Sequence, residues 1–161
     1  MVLVDSKRPF YFILTALILA LFVIVAYQQY QKYAKRYLIT IHTGAGPVKI
    51  NADYAETQEK QEKGLMGKQS LPKNSGMIFI FPDEKNRGFW MKNVLIPLDI
   101  IFMDSKGHIN EITTMKPCPK DAEVCPTYTS KEPARFAIEV NAGFAVKNRI
   151  IEGDILEISG F

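Results

Sequence analysis

The sequence is poor in the residues that most often carry chemistry. Its 161 residues include two cysteines, two histidines and one tryptophan. A structural zinc site takes four ligands; only His42 and His108 stand beside Cys118 and Cys125, so no metal site is expected. No Gly-rich phosphate loop, nucleophile elbow or metal-binding helix motif occurs. Ser70, Ser75, Ser105, Ser130 and Ser159 lie in polar or terminal contexts without a convincing His partner, so neither a catalytic triad nor a cofactor is expected. Charge of one sign is not in excess either: Lys plus Arg is 20 and Asp plus Glu is 17, a formal net charge of +3. With 47% apolar and 23% charged residues, the composition excludes disorder, collagen and low complexity. The length allows one domain with an appendage.

The appendage is the one long apolar run. Residues 9–27 are apolar apart from Thr15. About 20 helical residues span a hydrocarbon core of roughly 30 Å. Two readings compete: an uncleaved signal anchor over residues 9–31, or a signal peptide with Lys7 and Arg8 as its basic start. The run is long for a signal peptide, and only 24–26 approaches a peptidase site, which favours the anchor. Tyr11, Tyr27, Tyr30 and Tyr33 flank the span as interfacial aromatics do. Lys7 and Arg8 before it, against Lys32, Lys35 and Arg36 after it, leave the positive-inside rule undecided. The expected organisation is a cytoplasmic segment 1–8, the anchor 9–31, a juxtamembrane segment with the first strand 32–46, and a globular domain 47–161.

The segment also accounts for the charge. Residues 1–36 carry five basic and one acidic side chain, and residues 37–161 carry fifteen basic and sixteen acidic. Nucleic-acid binding needs a basic face, and a domain of net −1 indicates none. The expected partner is membrane lipid, through residues 9–31.

Alternating or short apolar runs predict strands over 38–42, 48–52, 77–81, 88–94, 98–103, 108–115, 136–140 and 154–158. Asp53 with Glu56, or Thr57 alone, can cap a helix over about 57–66, and Asn141 can cap another over about 142–149. Short strands with two short helices indicate an α+β domain on a mainly antiparallel, curved sheet or partial barrel.

Cys118 and Cys125 each stand beside proline, with six residues between them. In an exported domain they would form a disulfide contributing about 2–3 kcal/mol on the chain-entropy model. A redox pair usually has two intervening residues near a helix start. The disulfide reading places the domain outside and the N-terminus inside, in an inner or plasma membrane crossed once.

The densest candidate site lies in 89–99. On a strand, Trp90 and Lys92 share one face; Asp99 stands opposite Leu98, Ile100 and Phe102, and Glu139 and Asn141 opposite Ile138 and Val140. With suitable pairing, Trp90, Lys92, Asn93, Asp99, Glu139 and Asn141 line one concave face: an aromatic floor with one cation and two carboxylates. Such a set binds a polar ligand or performs acid–base work. The competing reading is a Lys–carboxylate network that fixes strand register, with Trp90 as core.

The same residues carry a family resemblance. Gly64-Leu65-Met66, Gly76-Met77-Ile78-Phe79-Ile80-Phe81, Phe89-Trp90-Met91-Lys92-Asn93, Ile96-Pro97-Leu98-Asp99 and Glu139-Val140-Asn141-Ala142-Gly143 resemble, in order and spacing, domain-of-unknown-function family 192, over roughly 48–160. The resemblance implies a compact, mainly β domain with a helix or two, often behind a signal peptide or anchor, and no established activity. Its motif positions here are Gly64, Leu65, Met66, Gly76, Met77, Trp90, Met91, Lys92, Asn93, Pro97, Asp99, Glu139, Asn141 and Gly143. Gly67 and Lys68 replace the family's usual bulky residue and Arg, and Val94 replaces its Thr. Three functions follow: a binding or interaction module of the cell envelope, which is favoured; a small enzyme using Asp99 or Glu139 with Lys92; or a structural motif whose function lies on another surface.

Overall fold

The computed structural model describes residues 8–33, 36–119 and 122–159. Residues 1–7, with Lys7 and most of the expected cytoplasmic segment, lie outside the described residues, as does Lys35. The chain divides after Lys35 into two units. The first is one helix, α1 (Arg8–Tyr33), whose stretch Tyr11–Gln28 is long and apolar enough to cross a membrane. None of that stretch is buried.

Among its described residues the second unit carries nine strands and two short helices. In chain order these are β1 (Arg36–Thr43), β2 (Gly46–Ala55), α2 (Gln58–Lys63), β3 (Ser75–Lys85), β4 (Gly88–Trp90), β5 (Leu98–Met103), β6 (Ile109–Met115), β7 (Thr127–Thr129), β8 (Ala134–Asn141), α3 (Phe144–Lys147) and β9 (Ile155–Ser159). Seven strands form one sheet in the order β6-β5-β8-β3-β2-β1-β9, and β4 and β7 form a separate ribbon. β1 lies between β2 and β9, so the domain begins at Arg36 rather than at 47.

The sheet is mixed. All its pairs are antiparallel except β2 with β3. A parallel pair cannot be joined by a tight turn and needs a crossover of about a dozen residues or more. Residues 56–74 provide it, with α2 inside. Thr57 caps α2 as expected, accepting a bond from the Lys60 N–H at 3.2 Å. The sheet curls until its edges approach. His108 bridges Ile155, the Ile109 N–H donates to the Asp154 carbonyl, and the Leu156 N–H donates to that of Gly107. The result is a half-barrel.

Curling gives the sheet two buried faces. Inside sit Ile39, Ile41, Ile50, Ile78, Ile101, Met103, Ile138 and Val140, plugged by Phe144, Ala145 and Ile150 from α3 and the turn after it. Outside, Phe79, Leu98, Ile100, Phe102, Met115 and Ala137 are covered by Leu65, Met91 and Val94. β5 is therefore buried at all six positions, which is why it is apolar at every position but Asp99. Gly76 is required where β3 meets β8, since a Cβ there would stand 2.3 Å from the Glu139 carbonyl oxygen.

Candidate functional site

β4 and its ribbon partner define one wall of a cleft on the outer face of the sheet. Trp90 pairs with Thr127, and the chain then leaves strand geometry. Asn93 takes φ +58 and the Val94 N–H returns to the Met91 carbonyl at 3.2 Å. The strand expected over 88–94 thus ends at Trp90, because the turn at 92–93 breaks the alternation. Met91 is buried, while Lys92 is exposed with Nζ 5.2 Å from the Trp90 ring centre. The ribbon is held from below. The disulfide Cys118–Cys125 (Cα–Cα 5.4 Å) closes the loop before β7, and the Cys118 N–H donates to the Met91 carbonyl. The Tyr128 hydroxyl accepts from the Lys116 N–H at 3.1 Å.

Between this wall and α2 lies a cleft of about 390 Å³, a volume suited to a small molecule. Phe79, Phe81, Phe89 and Trp90 form its apolar side, and Gln61, Glu62 and Lys63 its polar rim. Phe89 stands edge-on to Phe79 at 4.9 Å and to Phe81 at 6.5 Å between ring centres. Arg87 braces the outer end. Its Nη2 donates to the Asp83 carboxylate at 2.6 Å and to the Asp83 carbonyl, Nε donates to the Ala134 carbonyl, and the guanidinium lies 4.1 Å from the Phe81 ring centre. Lys85 and Arg87, both bonded to Asp83, hold that carboxyl down at about 2.

Glu139 reaches the cleft from β8. It is 3% exposed, and its Oε2 has no hydrogen-bond partner among the described residues. Burial pushes its carboxyl up to about 8, since a charge deprived of water and of a counter-ion is disfavoured. Gly64, at the end of α2 with φ +47, stands over it; a Cβ there would lie 3.6 Å from Oε2.

The other expected site residues are placed elsewhere. Asp99 is buried on the inner face, accepting from the Thr114 hydroxyl at 2.7 Å and from the Ala145 N–H at 3.1 Å. The two carboxylates therefore do not share a concave face. Asp99 pairs with Val140, and Glu139 with Ile100. The expectation of one surface holding both is corrected by that register, which sets them on opposite sides of the sheet. Asp99 also takes the place expected of Asn141 at α3, whose first residue is preceded by Gly143 with φ +79 and no side-chain cap. Asn141 instead donates to the carbonyls of Leu71 and Pro72, at 3.2 Å each, tying down the crossover.

Of the remaining motif positions, Leu65 is buried, Met66 lines the cleft, Met77 packs against the outer core, and the Pro97 carbonyl accepts from the Ala142 N–H. The sequence reading missed Arg87 and the α2 rim. The alternation of Met77, Phe79 and Phe81 along β3 was the available signal for the aromatic side.

Residues 39–158 match the DUF192 family, described as uncharacterized ACR. A UPF0127 protein of Thermococcus gammatolerans is 30% identical over 108 residues, 66% of this chain and 65% of that protein. The match thus spans just under two thirds of that relative. Two crystal structures share the fold. A candidate transcription regulator from Sinorhizobium meliloti 1021 has a TM-score of 0.68 at 28% identity, covering 79% of this chain and 96% of its own. A protein of unknown function from Novosphingobium aromaticivorans has a TM-score of 0.69 at 30% identity, covering 76% and 84%.

Proposed function

The chain belongs to the DUF192 family, and from the geometry of its cleft we propose that the domain is a binding module for a small molecule, tethered to the membrane by α1 and facing the envelope. One observation carries the reading: an unpartnered, buried carboxylate at the floor of an aromatic cleft. Buried polar atoms are normally satisfied within the protein, and an orphan costs about 1–3 kcal/mol. An orphan on a residue that lines a cavity is a group whose partner a ligand can bring. The apolar stretch Tyr11–Gln28, none of it buried, and the disulfide support the tether and the extracytoplasmic side. The name of the Sinorhizobium protein does not transfer: residues 37–161 of this chain carry fifteen basic and sixteen acidic side chains, a poor complement to a phosphate backbone.

The test uses the full chain in detergent micelles and thermal unfolding across a panel of small amines, alcohols and acids. A member that raises the midpoint for the native chain and not for Trp90→Ala supports the cleft as the site. A panel without such a member overturns it.

A further inference from the structure

We propose that the molecule seated in this cleft is an organic cation, an alkyl- or arylammonium whose charge rests against Glu139 and whose apolar body lies between Phe81, Phe89 and Trp90. The inference rests on the binding-module reading and specifies its ligand class.

Three observations converge on a positive charge. First, Glu139 lacks a counter-ion: the ion pairs among the described residues engage Glu56, Asp83, Asp104, Glu111 and Glu157, but not Glu139. Second, the protein's own cations at the cleft do not neutralise it. Arg87 is committed to Asp83, to the Ala134 carbonyl and to the Phe81 ring, and Lys63 is on the exposed last turn of α2, next to Glu62 of the same rim. Third, the walls suit cations. Aromatic faces attract ammonium and guanidinium groups within about 6 Å, and two cations of this chain already use them, Arg87 on Phe81 at 4.1 Å and Lys92 on Trp90 at 5.2 Å. Gly64 stands over the buried Oε2, where a Cβ would lie 3.6 Å away. An anion would meet the acidic rim at Glu62 and keep Glu139 protonated, and a neutral molecule would offer its ionised form no counter-charge.

The titratable groups facing Glu139 are Glu62 and Lys63 from α2 and Arg87 from the loop before β4. The strand neighbours Met77 and Ile100 do not titrate. At pH 7 roughly nine in ten Glu139 carboxyls carry a proton when ionisation is centred at about 8. Entry of an ammonium ion therefore expels that proton to the buffer, leaving a carboxylate against the cation.

The test is titration calorimetry of the full chain in micelles at pH 7 with phenethylammonium, 2-phenylethanol and 3-phenylpropionate, run in two buffers of different ionisation enthalpy. Glu139→Gln in the same micelles cancels partitioning, and its thermal unfolding checks its fold. The expected result is binding of the cation about tenfold or more tighter than the alcohol, with nearly one proton released per cation. In Glu139→Gln the preference falls to about twofold or less and proton release disappears, while the alcohol binds as before. Trp90→Ala, at an exposed position, weakens the cation several-fold. Equal binding of alcohol or acid and cation, or a preference that survives Glu139→Gln, overturns the cation and leaves the binding module standing. Binding of none of the three above micelles alone overturns the small-molecule cleft and the cation with it.

Discussion

Asp99 and Glu139 lie on adjacent strands, one residue out of register, and face opposite sides of the same sheet. Asp99 is fully satisfied by the Thr114 hydroxyl and the Ala145 N–H. Glu139 keeps an oxygen without a partner above a cavity. The two carboxylates have opposite roles: one stitches the inner face to α3, the other stays available on the outer face. Their responses to mutation and pH are expected to differ accordingly.

Glu139 governs the pH dependence. Its carboxyl is raised from 4.5 to about 8 in the folded chain, so between these values the folded state holds a proton that the unfolded state has lost. Stability is therefore greatest, for this group, below about 4.5 and falls as pH rises, by about 1.4 kcal/mol per unit, levelling above 8. Glu139→Gln removes the slope and is expected to be the more stable form at pH 9. Chemical denaturation from pH 5 to 9 checks this; parallel curves for the two proteins would contradict it.

Asp99→Ala is expected to lower stability by roughly 2 kcal/mol, because it strands the buried Ala145 N–H and removes the bond from the Thr114 hydroxyl. Binding in the outer cleft is expected to be unchanged, since Asp99 does not line it. Urea unfolding and a binding titration on the same variant separate the two effects.

The disulfide supports the cleft wall. Replacing Cys118 and Cys125 with serine is expected to cost about 2–3 kcal/mol. The effect is local first, because the loop they close leads into β7, the partner of β4. Trp90 is the sole tryptophan and half-exposed at the cleft mouth. Its emission is expected to shift to the red in the variant well before global unfolding. Coincident shift and unfolding would show that the ribbon does not depend on the bond.

The full chain is expected to stay in the membrane pellet after carbonate washing. On intact spheroplasts, externally added protease is expected to cut the domain while the disulfide is found oxidised. A chain released by carbonate, or protected from the protease, would contradict the tether and its orientation.

Much of the fold was legible in the sequence because it rests on short-range rules. β5 reads from five apolar residues broken only by Asp99 after Pro97, and Thr57 is recognisable as a cap. The parallel pairing of β2 and β3 was also within reach, since a helix between two strands is what a crossover requires. The site was less legible. Alternation assigns faces within one strand, but which face of β8 matches which face of β5 depends on a register that neither strand encodes alone. A shift of one residue separates Asp99 from Glu139. Asn93, in left-handed geometry, ends the alternation that would have carried Lys92 into the wall.

The pairing of β1 with β9 sets a condition on how this domain is made. The first strand of the sheet finds one neighbour in β2, its sequence neighbour, but the other only among residues 155–159. During synthesis β1 therefore stays half-paired until the last strand arrives. Such long-range closure is slow. Until then the hydrogen-bonding rim of β1 stands open, and that interval is when the nascent domain is most exposed to proteases and to other chains.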